Sequence, residues 1–549
     1  MPGELSISAA TRAATLDRLE RERFDLVVVG GGITGAGVAR AATLAGLSVA
    51  LLDAHDFASG TSSRSSKLIH GGLRYLALGD VGLVREAALE RKQVFRIAPH
   101  LAEPRWMVVP ARSRAALAKL RIGISTYEKL GAVEAPDRHQ NWSGSELARE
   151  EPVLDRERFP HACAYREYLT DDARLVLANL RAAVGVGSAV LNYAPVEAML
   201  LEQGRAVGVE AACRLTGRRV RVRARVVVNA AGPWVEAVQR LETPDAPLML
   251  HLSKGIHVTL DAERLPVRNM LVLSASDRRS LFAIRRGEVV YLGTTDTSYA
   301  RGAERWPTIE REEVNYLLEP LARYFDVAAV EPRHVLGAWA GLRPLIGTQG
   351  TEPQELSRRD EVISGAAGVV TVAGGKLTGY RPMAERVLEA AGRVLGHMPA
   401  PCEDDPLPGG DFSGDLASLS AGLERETGVA ARTAARLVRL YGAEAHAVVT
   451  RGPNPIVPGA SLLSGEVDWG VMEEGATSVR DLLYRRTRTA LYEPGESERV
   501  LDAVAVRMAE LLDWSGERTA QERSEMRARL AADLDFREAG APQEELGSG

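Results

Sequence analysis

The chain has 549 residues and a formal net charge of −5, which argues against a nucleic-acid partner. Its 45% hydrophobic and 26% charged residues are ordinary for a soluble globular protein, and its length predicts about two to four domains. Its cysteines, Cys163, Cys213 and Cys402, match no metal-binding or C-x-x-C spacing, so we expect no metal site and a reducing, cytoplasmic compartment.

The N-terminal segment, residues 1–23, is charged and rich in alanine, and it lacks the apolar core of a secretory signal. We expect it to form an extension, to which we assign no function. No stretch of about 18 apolar residues occurs, so we expect no membrane-spanning helix. Attachment to a membrane surface stays open.

A βαβ unit is predicted directly after this extension. Leu26–Val29 is an apolar run typical of a buried strand, and Gly30, Gly32 and Gly35 follow it in the spacing G-x-G-x-x-G. These glycines allow a tight turn, the approach of a pyrophosphate and close packing of helix on strand. Asp53 ends the next strand, where a carboxylate accepts hydrogen bonds from a ribose diol. The unit predicts dinucleotide binding; it leaves FAD and NAD open, and a turn that binds nothing is the alternative.

The segment 57–76 is rich in Ser, Thr and Gly, which favour loops and supply hydrogen-bond donors. A solvated loop is one interpretation. Because the segment follows a ribose-binding acid, it is also placed to run along a bound dinucleotide. Lys67, His70, Arg74 and Tyr75 lie close together in its second half and are suited to an anionic ligand.

Residues 105–127 form a basic segment that contains no acid. Its apolar side chains are interleaved with the basic residues Arg105, Arg112, Arg114, Lys119 and Arg121. An amphipathic segment of this kind is typical of attachment to an anionic lipid surface. A solvated helix with a buried apolar stripe is the equally weighted alternative.

Three later regions predict strands. Arg219–Val228 alternates arginine with apolar residues and then becomes a buried run, which predicts a hairpin that feeds back into a parallel sheet. Residues 250–335 contain short alternating runs between turns, typical of an antiparallel sheet. Val369–Val372 predicts another buried strand, and the glycines after it mark a place where a ligand meets the backbone.

Several motifs in one order resemble the family of FAD-dependent, quinone-linked glycerol-3-phosphate dehydrogenases. They are GGGITGAGVAR, TSSRSSKLIHGGLRYL, SKGIHV, LGTTDT, GLRPL and GGKLTGYR, with EGATSVRDLLYRRTR in the C-terminal region. The resemblance covers residues 24–395 and implies an α/β fold: a glutathione-reductase-type FAD-binding Rossmann domain, an antiparallel β substrate domain and a C-terminal helical domain. It implies oxidation of sn-glycerol 3-phosphate to dihydroxyacetone phosphate, with electrons passed to a membrane quinone at the inner face of the cell membrane.

The expected domain limits combine these patterns with the resemblance. The FAD-binding domain takes residues 24–400, in three pieces at about 24–100, 165–249 and 336–400. The substrate or cap domain takes the intervening residues, about 101–164 and 250–335. A Pro- and Gly-rich linker at 401–414, a helical domain at 415–530 and a flexible tail at 531–549 follow. A homodimer is compatible with the sequence.

The resemblance also implies the residues of the site. Those expected to bind FAD are Gly30, Gly32, Gly35, Asp53, Thr61, Ser62, Ser63, Lys67, His70, Gly71, Gly72, Val196, Ala231, Gly232, Gly375, Lys376, Leu377 and Thr378. Those expected to bind the substrate are Arg74, Tyr75, His257, Arg343, Arg359 and Lys376. Arginine suits a phosphate ester because its planar fork pairs with two oxygens at once, whereas an ordinary surface salt bridge is the alternative for each arginine.

His257, Arg343 and Lys376 are the candidate catalytic residues. An imidazole with a pKa of about 6.5 suits proton removal at neutral pH, although a structural histidine is the more frequent case. The charges of Lys376 and Arg343 could stabilise an alkoxide instead, and Lys376 could also stabilise a reduced flavin. The sequence leaves these roles open.

The sequence departs from the family pattern at two positions of the motifs. Asp53 stands where relatives often have Glu, and Gly379 stands in the place of a second Thr. Three alternative functions stay open. They are an oxidase of the same fold that reduces O2, a flavin-dependent amine or hydroxy-acid oxidase, and a flavin-binding regulator without turnover.

Overall fold

The computed structural model describes residues 7–72, 80–246, 250–347, 360–400 and 405–538. Its strands are β1 Arg23–Val29, β2 Val49–Leu52, β3 Leu68–Ile69, β4 Ala102–Ala111, β5 Gln140–Ser143, β6 His161–Thr170, β7 Ala189–Leu191, β8 Val196–Glu202, β9 Arg205–Ala212, β10 Arg219–Asn229, β11 Leu250–Asp261, β12 Met270–Ser274, β13 Ser280–Arg286, β14 Val289–Gly293, β15 Thr297–Ser298, β16 Gly337–Ile346, β17 Asp360–Ser364 and β18 Val370–Gly374.

The α-helices in the same ranges are α1 Arg12–Arg21, α2 Ile33–Leu44, α3 Val81–Ile97, α4 Arg114–Leu130, α5 Gly144–Glu150, α6 Asp172–Gly185, α7 Val235–Glu242, α8 Arg311–Leu318, α9 Leu321–Tyr324, α10 Tyr380–Leu395, α11 Leu416–Thr427, α12 Ala431–Tyr441, α13 Ala445–Arg451, α14 Ser464–Met472, α15 Val479–Asp481, α16 Thr489–Tyr492, α17 Pro494–Leu512 and α18 Gly516–Ala532. Short 3-10 turns lie at Ala9–Thr11, Thr61–Ser63, Ala135–Asp137, Gly232–Trp234, Pro332–His334, Leu377–Gly379, Gly442–Glu444 and Asp535–Arg537, and a π-helical turn at Leu482–Arg486.

The first sheet has the strand order β17-β18-β10-β1-β2-β7. Its centre, from β18 to β7, is parallel, as expected for a Rossmann-type domain. The predicted hairpin is present: the first half of β10 pairs antiparallel with β9, and the rest pairs in parallel with β1. The carboxyl ends of β1, β2, β10 and β18 therefore meet at one edge of this sheet.

Helices cover both faces of the first sheet. On one face α2, α6 and α10 form a core with Leu26, Val28 and Leu51. On the other face Leu16 and Leu19 of α1 are buried against the sheet. Residues 12–21 are thus a packed part of the first sheet's cover, whereas the sequence predicted an unassigned extension, because the apolar stripe of a short helix stands out little among charged residues.

The second sheet has the strand order β15-β11-β14-β13-β12-β4-β6-β3, with β16 on β11 and β5 on β6. It is antiparallel apart from the β12–β4 pair. Two predicted boundaries differ from the structure. β16 pairs with β11 along its whole length in the second sheet, although residues 336–400 were expected in the FAD-binding domain. β6 starts at His161 and continues past residue 165, where a boundary between the two domains was expected.

The basic segment predicted at 105–127 is divided between two elements. Its first part lies in β4, inside the second sheet, and only its second part is helical, in α4. A period of two and a period of 3.6 are hard to distinguish in so short a run of alternating basic and apolar residues.

The C-terminal helices, α11–α18, pack against one another and on the second sheet. One core lies among α11–α14, and another joins Leu482, Val500 and Val504 to Tyr291 and Trp339 of the second sheet. The described parts of the expected linker and tail, residues 405–414 and 531–538, also contain packed residues. Leu407 is buried, and its N–H donates to Ile97 O at 2.7 Å. Phe536 is buried too, so residues 531–538 belong to the packed structure, contrary to the prediction.

None of the helices in the described part of the chain is both long and apolar enough to cross a bilayer.

Candidate active site

A cavity of about 1010 Å³ lies between the two sheets. One side is formed by the carboxyl ends of β1, β2, β10 and β18, and the other by β11, β13 and β16. Pockets for drug-sized ligands measure about 300–1,000 Å³, so this cavity has room for a large cofactor beside a small substrate.

The glycine-rich turn after β1 lies at this cavity. Gly30 has a φ of +110°, and α2 begins at Ile33 with Gly32 as its N-cap. A Cβ at Gly35 would lie 1.9 Å from Gly30 O, so α2 can approach the turn this closely only with glycine at that position. The first amides of a helix have no acceptor within the helix, and those of α2 lie at the cavity, where they suit a pyrophosphate.

Asp53 follows β2 and lines the same cavity. Its carboxylate accepts hydrogen bonds from Gly31 N at 2.6 Å and from His55 N at 2.8 Å. Burial raises the pKa of Asp53 to about 6, although these two amides act in the opposite direction. A half-buried carboxylate that lines the cavity beside the glycine turn fits the ribose of an adenine dinucleotide.

We expect the affinity of the apoprotein for FAD to fall as the pH decreases through about 6. Ribose hydroxyls donate to the charged carboxylate, so binding requires loss of the Asp53 proton, and the Kd should rise up to about tenfold per pH unit below the pKa. Fluorescence titration of the apoprotein with FAD between pH 5 and 8 measures this slope. In Asp53→Asn the slope should disappear; an equal slope in both proteins would contradict the assignment.

His257 lies on β11 and reaches the cavity from the second sheet. Its ring stacks on Trp339, with centroids 4.9 Å apart, and its Nε2 is 2.9 Å from Ser66 Oγ. A Cβ at Gly293 would lie 2.0 Å from the imidazole, so glycine there makes room for the ring. Burial, followed by the positive charges of Lys67 and Arg343, lowers the pKa of His257 well below its usual value. The imidazole is therefore neutral at physiological pH and can accept a proton.

Arg343 lies on β16 and lines the cavity beside His257. Its Nη2 donates to Thr294 Oγ1 at 2.8 Å, and its Nη1 forms an ion pair with Asp296 at 3.2 Å. A Cβ at Gly255 would lie 2.3 Å from Arg343 Nη2, so this glycine leaves space for the guanidinium. These contacts hold a positive charge in a fixed place at the cavity wall.

Lys376 follows β18 and reaches the cavity from the first sheet, half-buried. Next to it, Thr378 Oγ1 accepts from His70 N at 3.1 Å and donates to His70 O at 3.2 Å. This pair ties the segment after β3 to the turn after β18. The cavity thus has positive side chains on both of its walls.

Comparison with known proteins identifies the family. The sequence model described as FAD dependent oxidoreductase matches residues 25–381, and that described as C-terminal domain of alpha-glycerophosphate oxidase matches residues 401–519. Proteins named aerobic glycerol-3-phosphate dehydrogenase from Staphylococcus haemolyticus and Bacillus subtilis are each 34% identical to the chain. The matches cover 93% and 92% of this chain and 95% and 94% of theirs. The chain belongs to the family of FAD-dependent glycerol-3-phosphate dehydrogenases.

Solved structures agree with this assignment. A glycerol-3-phosphate dehydrogenase from Bacillus halodurans, complexed with FAD, superposes with a TM-score of 0.80 at 32% identity, covering 96% of this chain and 99% of that one. The reduced L-alpha-glycerophosphate oxidase from Mycoplasma pneumoniae has a TM-score of 0.51 at 16% identity and covers 70% of this chain and 98% of that one, which shows a shared fold. The predicted fold class, the FAD dependence and the family are thereby confirmed.

Most of the predicted site residues of this dehydrogenase lie at the one cavity. Those that line it are Gly30, Gly32, Asp53, Thr61, Ser62, His70, Gly72, Val196, Ala231, Gly232, His257, Arg343, Gly375, Lys376, Leu377 and Thr378. Gly35, Ser63, Lys67 and Gly71 do not line it. Lys67 Nζ instead donates to Asp172 Oδ2 at 3.1 Å, and Lys67 itself is not among the lining residues, so its expected contact with the cofactor is not supported. Arg74, Tyr75 and Arg359 lie outside the described residues.

The structure adds lining residues that the sequence did not predict as part of the site, among them Ser66, Asp172 and Asp296. Asp172 lies in the first turn of α6. Its neighbour Asp171 is the N-cap, accepting from Arg174 N at 3.2 Å, whereas the Asp172 carboxylate bonds to residues far away in sequence. A spacing argument cannot find such partners.

Proposed function

We propose that this enzyme oxidises sn-glycerol 3-phosphate to dihydroxyacetone phosphate. The observation that carries the proposal is the placement of Arg343 and His257 on paired strands, β16 and β11, at the cavity that also contains the glycine turn and Asp53. A side chain suited to a phosphate ester, a proton acceptor and a candidate dinucleotide site therefore lie at one cavity. The names of the relatives give the same substrate.

The N-terminus of α2 and Asp53 are proposed to hold the dinucleotide part of FAD. Gly375 and Thr378, at the turn after β18, are proposed to bind FAD as well. When bound, FAD supplies the acceptor for the hydride that leaves the alcohol carbon. Arg343 and Lys376 bind the phosphate dianion or stabilise the charge of the alkoxide, in an enclosed site where such charges act strongly.

His257 is proposed to accept the proton of the substrate hydroxyl. Because burial lowers its pKa, it is neutral and available as an acceptor, yet weakly basic. The positive charges of Arg343 and Lys376 offset this weakness, since they lower the pKa of a nearby hydroxyl. His257 then takes the proton, while Arg343 and Lys376 stabilise the negative charge that develops on the oxygen.

A substrate comparison tests the proposed activity. With an artificial electron acceptor, turnover should require sn-glycerol 3-phosphate, whereas glycerol and small amino acids should give turnover at least about a hundredfold lower in kcat/KM, since they lack the phosphate. Preference for an amine or a non-phosphorylated hydroxy acid would contradict the proposal and favour the wider group of flavin-dependent oxidases.

The electron acceptor is proposed to be a membrane quinone. We expect anaerobic turnover with a soluble quinone analogue, and in air a peroxide yield far below one per substrate oxidised. Stoichiometric peroxide with no gain from the quinone would identify an oxidase instead. The measurement needs the same holoenzyme preparation in both arms.

Peripheral attachment to the anionic inner face of the cell membrane is proposed to occur through α4. This helix presents Arg114, Lys119 and Arg121 at the surface, next to Ile122, whose side chain is 72% exposed. Basic residues attract anionic lipid at about 1 kcal/mol each, and an apolar side chain adds insertion energy. The surface comprises α4 alone and excludes residues 105–111, which lie in β4.

Vesicle sedimentation tests this surface. The enzyme should bind phosphatidylglycerol vesicles weakly, and the bound fraction should fall as the salt concentration is raised. Ile122→Asp should weaken this binding about tenfold or more. Val506→Asp on α17 is the matched control, because Val506 is an exposed apolar residue on another helix and should keep wild-type binding. Equal loss in both variants, or no binding at low salt, would rule out α4.

A further inference from the structure

Asp172 is a fully buried carboxylate at the cavity wall, and it receives hydrogen bonds from two distant parts of the chain, residues 65–67 and Arg488. Its Oδ2 accepts from Ser65 N at 3.1 Å and Ser65 Oγ at 2.7 Å. Lys67 Nζ donates to both carboxylate oxygens, at 3.2 and 3.1 Å. Arg488 Nη2 donates to Oδ1 at 2.8 Å. Of this cluster, only Lys67 was predicted as a site residue, as one that binds FAD.

The Ser65–Ser66 segment connects this carboxylate to His257. Ser65 is bound to Asp172, and the next residue places its Oγ 2.9 Å from His257 Nε2. From the other side, Tyr291 OH donates to Ser66 O at 3.0 Å. The segment is therefore fixed between α6 and the second sheet, and the hydrogen-bond partner of the imidazole is fixed with it.

Arg488 comes from the C-terminal helical region and is only 1% exposed. Besides Asp172 it binds the first turn of the serine-rich segment, because its Nη2 donates to Ser63 O at 3.2 Å. Burial alone would raise the pKa of Asp172, but Lys67 and Arg488 outweigh burial and lower it. The carboxylate is thus charged, and a charged acceptor holds its donors more firmly than a neutral one.

We propose that Asp172, anchored by Lys67 and Arg488, is a positioning residue that fixes Ser65 and Ser66 and thereby the orientation of the His257 imidazole. This inference rests on the proposed oxidation of sn-glycerol 3-phosphate with His257 at the reacting hydroxyl. Misplacement of a catalytic group by about 1 Å can cost a hundredfold in rate, so a rigid support of this kind has a direct kinetic consequence. It also makes the C-terminal region a part of the active-site framework.

A pair of substitutions at position 65 tests the hydrogen bond itself. Ser65→Ala removes the hydroxyl that donates to Asp172, whereas Ser65→Thr keeps it, and neither substitution adds or removes a charged group. In anaerobic stopped-flow reduction of the holoenzyme by sn-glycerol 3-phosphate, Ser65→Ala should lower the limiting rate about tenfold or more. The apparent Kd of the substrate and the FAD content should change less than about twofold, and Ser65→Thr should retain the wild-type rate.

A second pair tests the contribution of the C-terminal region. Arg488→Gln should slow the same limiting rate about tenfold. The matched control is Arg174→Gln. Arg174 is also a buried arginine that joins α6 to the C-terminal region, but it does so through an ion pair with Glu474 at 2.6 Å and not through the serine segment. That control should keep the wild-type rate.

The outcomes separate this inference from the proposed function. If the wild-type flavin is not reduced by sn-glycerol 3-phosphate, the proposed function fails. If it is reduced, the inference is overturned by a wild-type rate in Ser65→Ala, or by equal slowing in Ser65→Ala and Ser65→Thr. A wild-type rate in Arg488→Gln, or equal slowing in Arg488→Gln and Arg174→Gln, overturns the part assigned to the C-terminal region.

Discussion

The substitution Arg343→Ala should raise the KM for sn-glycerol 3-phosphate at least about tenfold, while the FAD content stays at the wild-type level. Each charge-assisted hydrogen bond to a phosphate contributes about 1.5–3 kcal/mol, which corresponds to roughly tenfold or more in affinity. The guanidinium lies on β16 of the second sheet, whereas the glycine turn that is proposed to hold the cofactor belongs to the first sheet. Steady-state kinetics together with the flavin-to-protein absorbance ratio measure both quantities.

Two further variants serve as controls for Arg343. Arg343→Lys keeps the charge but loses the planar fork, so its KM should lie between those of the wild type and the alanine variant. Arg285→Ala removes an arginine of β13 whose Nε donates to Gly287 O at the strand end, and its KM should not change. An unchanged KM in Arg343→Ala would remove this residue from the phosphate site.

Replacing Asp56 with asparagine should destabilise the protein by about 3–5 kcal/mol, the largest stability effect that we expect of a single polar substitution here. Asp56 is fully buried and accepts from Arg486 Nη1 at 2.6 Å and Nη2 at 2.8 Å, with Arg485 Nε as a further donor. Burial would raise the pKa of Asp56, but the two guanidinium groups outweigh it and hold the pKa far below its usual value. An amide in its place leaves two buried cations without their shared counter-charge.

Denaturant unfolding followed by tryptophan fluorescence measures this effect as a lower midpoint. Asp502→Asn is the control, since Asp502 is paired with Arg527 at the surface, where its side chain is 59% exposed, and such pairs contribute little. Equal midpoints for Asp56→Asn and Asp502→Asn would show that the buried ion pairs of Asp56 with Arg485 and Arg486 are not required for stability.

The βαβ unit at residues 24–53 could be predicted from sequence because its information is local. Strand, glycine turn, helix and terminal acid follow one another within one stretch, and close packing at Gly35 depends on the neighbouring turn. The antiparallel region was likewise visible as period-two alternation. The resemblance of several motifs to a known family then predicted the substrate-binding residues, which no single motif predicts by itself.

The parts that escaped prediction depend on contacts between distant segments. Asp56 and Arg486 are separated by most of the chain, and their charges would be read as ordinary surface charges in a sequence. Asp172 is comparable, because its role follows from Lys67 and Arg488 rather than from its own helix. Burial of such groups is a property of the assembled fold.

The most direct test of the account is an anaerobic titration of the purified holoenzyme with sn-glycerol 3-phosphate, followed by the visible absorbance of the flavin. We predict bleaching of the flavin band by about one equivalent of substrate per bound FAD, and no bleaching by the same concentration of glycerol. A flavin band unaffected by sn-glycerol 3-phosphate, or bleached equally by glycerol, would contradict a cavity in which FAD and a phosphate-binding arginine act on one substrate.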